Sequence, residues 1–167
     1  MERPKRKDMR LQAYDYSSSG AYFITICTAD KKQILTQIRR GDPCGRPILA
    51  LTELGEIVQR SIAEVEKRYG FVVDQYVIMP DHVHLLLVNA EERATARVAP
   101  TIGQVVGALK SLTVRDWREI CNQRCQIMGK IWQRNYFEHV ISNEIDLRET
   151  RRYIDENPIK WLEVHHG

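Results

Sequence analysis

Two stretches rich in β-branched and aliphatic residues, 72–79 and 82–88, are separated only by Pro80-Asp81, and so short a connection requires an antiparallel hairpin. Side chains alternate along a strand, so His82, His84, Leu86 and Val88 share one face while Val83, Leu85 and Leu87 take the other. One face can hold a site while the other belongs to the core. Two imidazoles on alternate strand positions are a metal-ligand geometry. The same spacing also arises incidentally, so the pair needs a third group and a chemical partner before it carries that reading.

The remaining elements follow from pattern and punctuation. Residues 21–28, AYFITICT, come after the loop signal Ser17-Ser18-Ser19-Gly20 and are dense in strand formers, which predicts the first core strand. Residues 39–51 open with Arg39-Arg40-Gly41-Asp42-Pro43-Cys44-Gly45-Arg46-Pro47 and read as an exposed insertion, with a basic DNA-touching loop as the alternative. Thr52 begins a helix that carries Leu54, Ile57, Val58, Ile62, Val65 and Tyr69 on one face and stops at Gly70. After a polar stretch from 89 to 100, Thr101 and Gln104 form a capping box that opens a second helix, with Ile102, Val105, Val106, Leu109, Leu112 and Ile120 as its buried stripe. Residues 136–141 form a further strand. Ser142-Asn143 caps a third helix predicted to run to Asn157 and to end at Pro158.

The order β-α-β-β-α-β plus a C-terminal helix predicts an α+β fold. Its antiparallel sheet is ferredoxin-like or RRM-like, with helices on one face and the histidines on the other, open face. At 167 residues the chain suits a single domain over 1–167, and no internal repeat suggests otherwise.

Net charge is +3, a mild excess that permits nucleic-acid binding without demanding it. Its distribution is more informative. Arg3, Lys5, Arg6, Lys7 and Arg10 form a basic arm (1–16) able to touch phosphates, or else a solvated terminus without a role. Lys110 and Arg115 lie off the buried stripe of the second helix, where they either track a nucleic-acid backbone or make a plain solvated face. Cys27, Cys44, Cys121 and Cys125 contain no CxxC pair, and the N-terminus lacks the apolar core of a signal peptide, so a reduced cytoplasmic setting is expected. No apolar run approaches the roughly 20 residues that cross a bilayer.

Tyr153 and Asn157 stand one helical turn apart, so a phenol and an amide share a helix face. Spacing alone leaves open a packed tyrosine and an ordinary helix-terminating asparagine. The segments SSSGAYFITICT, YVIMPDHVHLLL, IWQRNYFEHVIS and RRYIDENPIKW together resemble the IS200-like single-tyrosine HUH transposases, and within them the REP-associated tyrosine transposases of bacteria. The likeness covers nearly the whole chain and is weakest at 39–51 and 91–98.

That resemblance implies a metal-dependent enzyme that nicks and rejoins single-stranded or hairpin DNA through a 5′-phosphotyrosine intermediate. It implies Tyr153 as nucleophile and His82, His84 and Asn157 as ligands of a divalent cation. Insertion-sequence members usually carry Gln at the last position, and Asn is similar to the REP-associated branch. Imidazole nitrogens with an amide oxygen suit Mg²⁺ or Mn²⁺. Asp81 adjoins His82 and either orients it or simply makes the turn. Tyr136 is the rival nucleophile, with packing as its other reading, while His139, His165 and His166 read as a strand histidine and a frayed tail. A homodimer is compatible with the resemblance, as is association with the nucleoid when DNA is bound. Two other classes remain: a non-catalytic single-stranded nucleic-acid-binding module on the same sheet, which would not need Tyr153, and a metal phosphoesterase, which would form no covalent adduct.

Overall fold

Strand β1 (Ala21–Cys27) alternates strictly, with Tyr22, Ile24 and Ile26 fully buried and the residues between them half-buried. The computed structural model describes residues 20–39, 41, 47–89 and 100–166. The arm residues Arg3, Lys5, Arg6, Lys7 and Arg10, and segment 42–46, lie outside them. Two long strands follow, β4 (Phe71–Ile78) and β5 (His82–Asn89), and then β6 (Phe137–Ile141). They join β1 in a four-stranded sheet of order β4-β5-β1-β6 in which every pairing is antiparallel. This is the ferredoxin-like arrangement expected from the element order.

Helix α1 (Glu53–Tyr69) starts where the Thr52 hydroxyl accepts from the Gly55 amide and ends at Gly70, whose left-handed φ of 71° suits a residue without Cβ. Helix α2 (Ile102–Gln123) opens with the complete Thr101/Gln104 capping box, a device worth about 1 kcal/mol. Both helices pack on the sheet face that carries Tyr22, Ile24, Ile26, Val83, Leu85 and Leu87, and this forms the main core. Each fully buried side chain of this kind contributes about 1.5–3 kcal/mol. Cys121 is buried on α2, whereas Ile120, predicted in its stripe, is only half-buried.

Three expectations need correction. Residues 48–51, read without secondary structure in an exposed insertion, form a strand: β3 (Ile48–Leu51) pairs antiparallel with β2 (Thr36–Arg39) in a separate two-stranded sheet, with Ile48 and Leu49 exposed. The Arg, Gly and Pro residues between the two strands hide them in the sequence, and pairing across a connection is a nonlocal property. Helix α3 (Glu144–His166) does not stop at Pro158. Proline there lacks the N–H that would reach the Ile154 carbonyl, a loss of about 3 kcal/mol in an exposed helix. Ile154 is 1% exposed and packs with Met79, Leu86, Trp161 and Leu162, so burial on both sides of the proline holds the helix together.

The second sheet face is therefore not open, because α3 covers part of it. Arg151 makes a two-pronged contact with Asp74 at 2.6 and 2.8 Å, which ties α3 to the β4 bulge between Val73 and Gln75. The Arg151 hydrogen bonds hold the Asp74 carboxyl below its ordinary range, against the opposing effect of partial burial.

Candidate active site

Strand parity turns His82, His84 and Leu86 toward α3, while sheet order decides what surrounds them. Register pairs Thr25 with His84 and Cys27 with His82 on β1, and Val77 with His84 on β4. Residues of matching parity on β1 thus share the histidine face. The Thr25 Oγ1 lies 2.8 Å from His84 Nδ1, and the Phe23 ring packs 5.1 Å from the imidazole. The Asp81 carboxylate accepts from His82 Nδ1 at 2.5 Å, with Lys31 3.8 Å from its other oxygen.

Because a carboxylate only accepts, His82 Nδ1 carries a proton, and in the uncharged form of the ring the lone pair lies at Nε2. That Nε2 lies 3.0 Å from His84 Nε2. The Asn157 amide comes within 3.3 Å of the same His84 atom, across 73 positions of sequence. Amide nitrogen and oxygen are interchangeable in such an assignment, so the carbonyl can turn toward the imidazoles. The donor set fits a divalent cation: two lone pairs face each other too closely without a proton or metal between them, and each outer nitrogen is already held by Asp81 or Thr25. His82, His84 and Asn157 would hold it. Among the described residues no group of three or more His, Cys, Asp or Glu side chains is arranged for a metal, so the amide is needed to complete the set.

Burial, with the nearby His82 and Lys31 charges adding to it and Asp81 opposing, pushes His84 down to about 3. The ring is neutral at physiological pH, the form that ligates. Burial acts against the Asp81 charge, but the His82 hydrogen bond and the His82 and Lys31 charges outweigh it and hold the carboxyl below its usual range.

Tyr153 stands one turn before Asn157 on α3. Its ring centroid is 5.3 Å from that of His84 and 5.8 Å from that of Phe23, edge-on to the latter. At 42% exposure it meets solvent at the rim, with the Lys160 ammonium 5.6 Å from its ring centre. Asn157, only 9% exposed, lies in the floor. The structure thus brings together His82, His84, Tyr153 and Asn157, with Asp81 as a partner of His82.

Other candidates are elsewhere. Tyr136 packs against the main core, and His139 faces Asp146 at 3.0 Å on the surface. The Lys110 ammonium donates to the carbonyls of Gln133, Arg134 and Asn135 at 2.8, 3.3 and 3.3 Å and is pulled below its ordinary pKa by burial, so it serves as a loop tether rather than a free cation. Arg115 is exposed beside Asp116 at 2.7 Å. Thr25, Phe23 and Trp161, whose ring lies 6.1 Å from His82, escaped sequence reasoning because only the sheet order and the continued α3 bring them to the histidines. His165 stacks on Trp161 at 4.0 Å.

Comparison with known proteins agrees with the fold. The family model described as "Transposase IS200 like" matches residues 17–157. An uncharacterized protein of Haemophilus influenzae is 31% identical, over 93% of this chain and 89% of its own. The REP-associated tyrosine transposase of Escherichia coli is 24% identical, over 88% of this chain and 72% of its own. A solved structure of a REP-associated tyrosine transposase bound to a REP hairpin superposes with a TM-score of 0.64 at 20% identity, covering 92% of this chain and 74% of that one. At that identity the likeness is one of fold. No helix among the described residues is long and apolar enough to cross a membrane.

Proposed function

The chain belongs to the IS200-like transposase family, whose members cleave and join DNA, and from that premise we propose that it is a metal-dependent strand transferase acting on hairpin DNA through Tyr153. The observation that carries the proposal is the convergence of His82 Nε2, His84 Nε2 and the Asn157 amide within one turn of a solvent-facing tyrosine. His82, His84 and Asn157 would hold a divalent cation, which would supply Lewis-acid stabilisation of charge on the scissile phosphate. Hairpin DNA is inferred as substrate because it is bound in the structure of the REP-associated relative.

The protein's own residues have distinct tasks. The Tyr153 Oη attacks phosphorus, an O–P bond forms to the phenol oxygen, and the P–O3′ bond breaks. The phenolic proton passes to solvent or a base, and the departing 3′ oxygen takes up a proton as a free hydroxyl. The DNA 5′ end stays on the tyrosine as a phosphodiester, and attack by a 3′-hydroxyl reverses the step and joins an end without ATP. Asp81 and Thr25 keep the two imidazoles turned inward, and α3 carries nucleophile and amide as one rigid unit.

The test is a denaturing gel of the protein with labelled hairpin DNA from repeats flanking its own gene, in Mn²⁺ or EDTA, beside Tyr153→Phe. A metal-dependent covalent adduct absent from the variant supports the reading. Retained DNA binding with no adduct on any flanking sequence replaces it with the binding-module reading.

A further inference from the structure

The Lys31 ammonium stands at the end of the site away from Tyr153. Tyr153 packs against Phe23 and His84, whereas Lys31 Nζ donates to Cys27 Sγ at 3.1 Å and lies 3.8 Å from the Asp81 carboxylate. Register pairs Phe23 with Leu86 and Cys27 with His82, so the two imidazoles fall between the phenol and the ammonium. Four strand positions from Phe23 to Cys27 span roughly 13 Å, which leaves room for a phosphate between them. The backbone is held in an unfavourable form to place this side chain. Asp30 and Lys31 both have φ of 55°, in the left-handed region that residues with a Cβ rarely adopt. The Thr28 amide donates to the Asp81 carbonyl at 2.9 Å, the Thr28 hydroxyl lies between the Lys32 and Asp81 carbonyls, and the Ala29 amide donates to the Ile131 carbonyl at 2.7 Å. Strained turns that are over-determined in this way cluster at functional sites.

We propose that Lys31 is the general acid of the cleavage step, donating a proton from Nζ to the departing 3′ oxygen. The proposal rests on the transposase reading and deepens it by assigning a proton donor that the reaction needs. In-line attack by Tyr153 puts the leaving oxygen on the far side of phosphorus, the side on which Lys31 stands. As the P–O3′ bond breaks, its electron pair stays on the 3′ oxygen and takes up the Nζ proton, leaving a neutral amine. In the joining step the same amine takes the proton of the attacking 3′-hydroxyl. Lys31 has donors to spare: the thiol is a weak acceptor, and the carboxylate stands beyond hydrogen-bond distance. Its side chain is 55% exposed and reachable by substrate. Burial works against its charge, but the Cys27 hydrogen bond and the Cys27 and Asp81 charges outweigh it, so the acid form is fully populated near neutrality. Lys160, the cation beside the Tyr153 ring, lies at the opposite end and cannot serve the leaving group.

The test uses the full chain in Mn²⁺ and measures the single-turnover rate of covalent adduct formation on two hairpin DNAs. One is ordinary DNA; the other carries sulfur in place of the bridging 3′ oxygen at the bond that wild-type protein cleaves. Lys31→Met should slow adduct formation on the oxygen substrate by about 10²–10⁴-fold. On the sulfur substrate the loss should be less than about threefold, because a thiol of pKa near 8.5 departs as the thiolate without a proton. Lys31→Arg keeps the charge but holds its proton too tightly to donate, so it should show the same split. An undiminished rate on the oxygen substrate in Lys31→Met overturns the proposal. So does equal loss on both substrates, or recovery of the oxygen rate by Lys31→Arg, either of which would reduce Lys31 to a fixed charge beside Asp81. Wild-type protein that forms no adduct with either DNA would instead sink the transposase reading.

Discussion

The Thr25 hydroxyl lies 2.8 Å from His84 Nδ1, and the two residues face each other in register on neighbouring strands. His84 is 4% exposed, so water does not replace this partner. With Nδ1 as donor to the hydroxyl, the lone pair sits on Nε2, beside His82 and Asn157. The hydroxyl can accept from Nδ1, and in that tautomer Nε2 is the nitrogen free to ligate a cation.

Thr25→Val keeps the shape and removes the hydroxyl. It should cost about 1–3 kcal/mol of stability through an unsatisfied buried nitrogen and raise the Mn²⁺ concentration for half-maximal thermal stabilisation by about tenfold or more. Thr25→Ser should restore both. A metal titration followed by thermal melting checks it, and a wild-type response in the valine variant rejects the role.

Chelation should lower the wild-type melting temperature, and Mn²⁺ at about one hundred times its dissociation constant should add about 2.7 kcal/mol. For a chain of this size that is a shift of roughly 5–10 °C. His84→Ala and Asn157→Ala should lose most of the shift. Equal shifts in all three proteins would place the bound metal elsewhere.

Asp74 and Arg151 predict how α3 docking depends on pH. The folded carboxyl titrates below its ordinary value of 3.8, so its contribution is complete above 3.8 and disappears as pH falls through the lower folded value. Arg151 is 43% exposed, which limits the effect to at most about 1 kcal/mol. The melting-temperature gap between wild type and Asp74→Asn should be constant from about pH 5 to 7 and close below about pH 3.8. A gap that persists to low pH contradicts the pairing.

Gly55→Ala should destabilise by about 1–3 kcal/mol or more, because its Cβ would meet the Leu35 carbonyl oxygen at 2.1 Å. That oxygen also accepts from the Thr52 amide at 2.9 Å, so the backbone has little room to give. Urea denaturation measures the change, and the DNA adduct yield of folded protein should be unaffected.

Much of the fold is legible locally. The Thr52 and Thr101 caps, the Gly70 stop, the Pro80-Asp81 hairpin and the apolar stripes of α1 and α2 arise from contacts within a few residues, which residue type and spacing report directly. His82, His84, Tyr153 and Asn157 were legible as residue types at telling spacings, and the family resemblance joined them across the chain. The strand β3 was not legible, since its ladder partner β2 lies across a segment of breakers. Nor was the survival of α3 past Pro158, where burial of Ile154 and Trp161 outweighs a local rule.

The amino-acid sequence by itself therefore determined the elements of the main sheet and its two covering helices, the two faces of the histidine strand and the residues available for chemistry, because these depend on backbone periodicity and short-range capping. Tertiary structure alone decided that Thr25 rather than another hydroxyl meets His84, that Asn157 enters the floor while Tyr153 stays at the rim, and that Lys110 ties down a loop. Each of those outcomes depends on which distant segments become neighbours, and that is set by the summed burial of the whole chain, which no local pattern encodes.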